Sequence, residues 1–232
     1  KEVLDKEHLI IVLEHILKRT NHTIPILHFA IHGDKNGLQL LDGSISWVEL
    51  EPYLSEINKR TKNNLMITLA VCCGAFIIEL FEINSIRAPF HIVFGPTTNI
   101  NGDRIDDIFT LFYDILFDSR DVKKAYDSIL EHYPIDFPVK LILSNEFLLN
   151  SIILHFTLSK KGERRHNMIS AYKEKYNLEM PYELKKKIQY PDELVDFMKP
   201  VYSNFIRKYL MSDLYPENEL RFQIGEMIEK II

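Results

Sequence analysis

The run Leu65–Gly74, LMITLAVCCG, constrains this chain more than any other stretch. It is short, apolar and β-branched in places, so it reads as a buried strand. It ends in two adjacent cysteines, the only two in 232 residues, followed by a glycine and the amphipathic AFIIELFEI, which reads as a helix over 75–83. A strand that carries a thiol at its carboxyl end, just before a helix, places that thiol where open α/β sheets hold their chemistry. Forty residues before Cys72 a second apolar run, Ile24–Ile31, ends in His32-Gly33-Asp34.

The segments around these runs alternate in period. Residues 5–19 carry Leu9, Ile10, Val12, Leu13, Ile16 and Leu17 at helical spacing, closed by basic residues. His32–Gly37 has the composition of a loop. Asp42-Gly43 between two apolar stretches signals a hairpin, with positive φ expected at both turn positions. Ser46 and Glu49 have the spacing of a capping box for a helix reaching Arg60. A strand over 89–95 follows, then a turn with an Asp cap at 99–103, a helix bearing Ile105 to Leu116, and a second helix capped by Ser119. This alternation predicts a mainly parallel sheet with helices on both faces.

Past Tyr133 the character changes. One more strand is expected over 137–143, and from Ser144 onward the period is helical, broken near Gly162, Pro181 and Pro191, with Pro200 kinking or splitting 192–210 and a last amphipathic segment over 217–232. The expected organisation is an α/β domain over 1–140 and a mainly helical region over 141–232. The clusters Lys160-Lys161, Arg164-Arg165-His166 and Lys185–Lys187 read as solvated helix faces.

Composition narrows the function classes. Net charge is −5, which gives no electrostatic reason for a nucleic-acid partner. No apolar run is long enough to span a bilayer, and no secretory leader pattern is present. Two neighbouring cysteines form no disulfide framework and lack the C-x-x-C spacing of a structural metal site, so a reducing, cytoplasmic setting with no metal and no cofactor is expected. His28 and His32 stand at i, i+4, but on a strand that puts them about 13 Å apart, too far for a metal pair.

A thiol hydrolase needs a thiolate, a histidine within reach of it and donors for the oxyanion. If the two apolar strands are neighbours in register, His32 and Cys72 overhang the same sheet edge. Gly33 and Cys72 then offer backbone N–H groups for the oxyanion, and the helix expected near Ala75 would turn its positive end toward the thiol. A slip of one residue at the strand end makes Cys73 the alternative nucleophile. Asp34, Ala70 and Thr97 are the candidate substrate-pocket residues, with Thr98 beside them.

This layout resembles that of the caspase-like cysteine peptidases: caspases, metacaspases, separases and, most of all, the bacterial CHAT proteases. His-Gly ends one strand, an Asp-Gly hairpin and a helix follow, and Val71-Cys72-Cys73-Gly74 is similar to the caspase signature Q-A-C-[RQG]-G. The resemblance covers roughly residues 24–130. It implies a caspase-like fold, an endopeptidase acting on protein or peptide substrates through a Cys72–His32 dyad, and regulated cleavage in stress or antiviral defence. It also implies a strand that would precede Lys1 and an activating protein partner or N-terminal segment; calcium dependence occurs among the metacaspases, but the dyad chemistry itself needs no metal or cofactor. Ala70 stands where caspases carry Gln and metacaspases Asp, which shifts the expected P1 residue toward small or apolar. The alternative is a catalytically silent module of the same fold that binds a protein partner.

Overall fold

Five matched pairs, Ile26↔Met66 through Ala30↔Ala70, join strand β1 (Ile26–Ala30) in parallel to β5 (Met66–Ala70). These strands belong to a computed structural model that describes residues 3–20, 23–81, 86–133, 138–159 and 191–230. β5 also pairs in parallel with β6 (Ile92–Pro96), and β7 (Val139–Leu143) closes the sheet antiparallel to β6, giving the order β1-β5-β6-β7. The fold is α/β, with a mostly parallel mixed sheet and flanking helices.

One row across this sheet explains its register. His28, Thr68 and Phe94 are successive partners on β1, β5 and β6, so their side chains share a face. That face meets α3 (Gly102–Ser119). Phe94 stacks on Phe112 at 4.0 Å and meets Phe109 edge-on at 5.0 Å. Beside this apolar contact the Thr68 hydroxyl, fully buried, lies 2.6 Å from the Tyr113 hydroxyl and 2.9 Å from His28 Nδ1, with Tyr113 3.0 Å from the same nitrogen. α4 (Val122–His132) packs on α3 and completes this layer through Ala125 and Ile129.

Helices α1 (Lys6–Arg19) and α2 (Trp47–Arg60) pack on one another. α2 starts in the expected capping box and buries Trp47, Leu50, Leu54 and Ile57. It ends where Lys62 and Asn63 take positive φ. There the buried Asn58 amide donates to Asn63 Oδ1 and to the Ala88 carbonyl, each at 2.8 Å, and its oxygen accepts from the Leu65 N–H at 3.0 Å. This polar plug aims the chain into β5, because backbone groups buried at a helix end need such partners.

Several local expectations are corrected. His32–Asp34 is not a loop but a short strand, β2, in a separate antiparallel sheet with β3 (Gly37–Gln39) and β4 (Ser44–Ser46). Between β3 and β4 only Gly43, not Asp42, has positive φ, since the connection runs over four residues and closes with Leu40 N–H on the Gly43 carbonyl. The caps of α3 and α4 are Asn101 and Asp121 rather than Asp103 and Ser119. Ser119 donates back to the Ile115 carbonyl inside α3. β7 runs antiparallel, so the sheet is mixed.

The chain divides after Ser144 into two units, Lys1–Ser144 and Asn145–Ile232. α5 (Ser144–Ser159) begins at that division. In the second unit α6 (Pro191–Tyr209) continues through Pro200 without being split. The last segment forms two short helices, α7 (Glu217–Arg221) and α8 (Ile224–Lys230), rather than one. Ile206, Leu210, Met211, Ile224 and Met227 are buried here, and Asn218 donates to the Leu210 carbonyl at 2.9 Å. The expected breaks near Gly162 and Pro181 and the basic clusters between Lys160 and Lys187 lie outside the described residues.

His28 yields a test of the register row. Desolvation holds its imidazole below the ordinary value, with Asp106 opposing. The unfolded chain therefore binds this proton more tightly, and stability falls as pH drops below about 6.5 toward the folded-state value. Denaturation midpoints at pH 7 and pH 5 should differ more in wild type than in His28→Gln; an equal difference would refute this placement of the ring.

Candidate active site

Because Ala30 pairs with Ala70, His32 and Cys72 each stand two residues beyond the same matched pair of neighbouring strands. The overhang expected from sequence is present. Past Ala30 the chain turns into β2, past Ala70 into the Val71–Gly74 turn, and the two meet at Gly33. A Cβ on Gly33 would lie 2.5 Å from Val71 Cγ1 and 2.6 Å from the Gly37 carbonyl. Only glycine lets β2 lie this close over the residue before Cys72.

The small sheet also settles where the Gly33 amide points. Asp34 and Gly37 close a two-residue turn, so they form the hydrogen-bonded pair of that hairpin. Hydrogen-bonded and open pairs alternate along an antiparallel ladder. Gly33↔Leu38 is thus an open pair, and the Gly33 N–H faces away from β3.

At the other strand end three hydrogen bonds fix the cysteine turn. The Gly74 amide donates to the Val71 carbonyl at 3.0 Å, the Phe76 amide to the Cys73 carbonyl at 3.0 Å, and the Cys73 amide to the Thr98 carbonyl at 3.1 Å. None of these three bonds uses the Cys72 amide. Cys73 has φ 56°, a left-handed conformation uncommon for a residue with a Cβ. The expected α-helix is a 3₁₀ helix, Gly74–Phe81, whose tight winding directs its first amides to carbonyls of the turn itself rather than to a thiolate.

Both thiols are half-buried and free. The Cys72 thiol donates to the Ile100 carbonyl at 3.8 Å, and the Cys73 thiol to Asn99 Oδ1 at 3.5 Å. Among the described residues neither thiol is hydrogen-bonded to His32. Burial pushes the Cys73 thiol up, the nearby Cys72 and Asp34 charges push it further, and Lys35 opposes them. These surroundings disfavour a Cys73 thiolate.

The remaining candidates separate. Asp34, in β2, is close enough for its charge to act on Cys73. Ala70 is half-buried at the end of β5. Thr97 is engaged by Pro138, its amide and hydroxyl both donating to that carbonyl, at 2.7 and 3.3 Å. The residues that grip the thiols are Asn99 and Ile100, which sequence reasoning missed: one acts through an amide oxygen and the other through its backbone, and no spacing announces such a contact. No group of three or more His, Cys, Asp or Glu side chains placed to hold a metal occurs among the described residues, and no described helix is long and apolar enough to cross a membrane.

The contact at Gly33 is directly testable. Gly33→Ala should cost about 1–3 kcal/mol of unfolding free energy through overpacking. Adding Val71→Ala should recover part of the loss and no more, since the Gly37 carbonyl stays in place; a Gly33→Ala protein as stable as wild type would contradict the close approach. Comparison with protein-family models finds no match for this chain, and comparison with curated proteins finds none either.

Proposed function

We propose that this chain is a cysteine endopeptidase with Cys72 as nucleophile and His32 as general base and acid. The observation that supports this most is the matched overhang: His32 and Cys72 lie two residues past Ala30↔Ala70, with Gly33 seated on Val71. His32 takes the Cys72 proton and the thiolate attacks the scissile carbonyl. The Gly33 and Cys72 amides hold the resulting oxyanion. As the C–N bond breaks, His32 returns the proton to the leaving amine and a thioester remains on Cys72. Water then attacks the thioester, with His32 again as base, and releases the acid and the thiol.

The first step requires the Cys72 side chain to turn from the Ile100 carbonyl toward His32. A thiolate cannot donate to a carbonyl, so ionisation itself releases that contact. A reducing, cytoplasmic setting suits a free thiol, and the resemblance to bacterial caspase-like proteases suggests regulated cleavage of protein substrates. The hydrogen bond from Cys72 to Ile100 also favours a second reading, a silent module of caspase-like layout that binds a protein partner.

A peptidyl electrophile separates the two. Mass spectrometry of the labelled protein should locate one adduct on Cys72, lost in Cys72→Ala and reduced at least about tenfold in His32→Ala, as expected for removal of an activating base. Cys73→Ala should keep the label. Labelling that ignores His32 would favour the silent module, and labelling of Cys73 alone would move the nucleophile by one residue.

A further inference from the structure

We infer that the cleft over the three-stranded sheet β2-β3-β4 receives the leaving-group half of the substrate, and that Asp34 selects a basic side chain there; this rests on the peptidase reading above. The argument starts from the proton. His32 must protonate the departing nitrogen, so the residues after the scissile bond leave over the side of the site where the imidazole stands.

That side is a built cleft. It holds about 460 Å³ and is walled by His32, Asp34, Gln39, Ser44, Ser46 and Glu49, a size suited to one or two side chains. Pairing places these groups together: His32 faces Gln39, which faces Ser44, and Asp34 faces Gly37, which faces Ser46. Opposite partners share a face, so the polar residues line one side of the small sheet. Leu38 and Ile45, each 1% exposed, fill the other.

Charge makes the cleft selective. Glu49 is already satisfied: Lys6 pairs with it, Ser46 donates to it through both its amide and its hydroxyl, and these contacts hold its carboxyl at about 2. Asp34 differs. Its Oδ1 accepts the Asn36 amide at 2.6 Å, and among the described residues no cation pairs with it. Lys35, next in the chain, does not line the cleft. An arriving lysine or arginine would therefore meet one open carboxylate, with serine and glutamine groups beside it to bind the polar backbone. This places Asp34, a candidate substrate-pocket residue from the sequence, on the leaving-group side of the scissile bond.

The experiment uses a peptide library from a digested proteome, cut by wild type and by Cys72→Ala, and then pairs of peptides that differ only in Lys or Glu at the first position after the cut. Wild type should enrich Lys and Arg after the cut and prefer the Lys peptide about threefold to fivefold in kcat/KM, the scale of an exposed charge pair. The preference should shrink as salt rises. Asp34→Asn should bring the ratio near one, and Asp34→Lys should invert it; a ratio cancels any general loss of activity. Cys72-dependent cuts without basic enrichment, or an enrichment that survives Asp34→Asn, would overturn the cleft assignment alone. No Cys72-dependent cuts at all would overturn the peptidase reading and this inference with it.

Discussion

The three-way contact of His28, Thr68 and Tyr113 joins two neighbouring strands to the helix above them, and the candidate site depends on it. A slip of one residue between β1 and β5 would turn His28 to the opposite face, leave the buried Thr68 hydroxyl without one of its partners, and shift His32 along the strand by about 3.3 Å relative to Cys72. Losing one buried hydrogen bond costs about 0.5–1.5 kcal/mol, which favours the observed pairing over its neighbours. Polar pairing on one face of the sheet thus aligns two residues that overhang its edge. The stacked Phe94 and Phe112 beside it supply area but little register, because apolar contacts slide more readily than hydrogen bonds.

Much of this was legible in the residues. The Ser46–Glu49 spacing announced the start of α2, the apolar run announced β5, and the two overhanging residues followed once neighbouring strands were assumed. What escaped depends on distant partners. β2 has only three residues, one of them glycine, and becomes a strand because β3 is there to pair with it. β7 looks the same from sequence whether it runs parallel or antiparallel. Asn101 and Asp121 were passed over for neighbours that also have capping side chains, since several such residues cluster at each helix start. The grip of residues 98–100 on the cysteine turn is tertiary, and Cys73 adopts a backbone conformation that its residue type does not advertise.

Two thiols one residue apart are thus placed in different surroundings. Cys73 is held by its amide, its carbonyl and its sulfur, and burial disfavours its charged form. Among the described residues Cys72 has one long hydrogen bond, to a carbonyl. Adjacent residues of the same type are therefore distinguishable by environment alone, which a spacing argument could propose but not decide.

The sheet order carries a further consequence. β5 lies between β1 and β6, whereas among the described residues β1 has a strand on one side only, and an apolar trough of about 760 Å³ is lined by β1 and α1. Cys72 therefore extends from an interior strand and His32 from an edge strand. Local opening follows such differences in support, so heat or denaturant should misplace the imidazole before the thiol. His32 and Cys72 would part while most of the core was still folded.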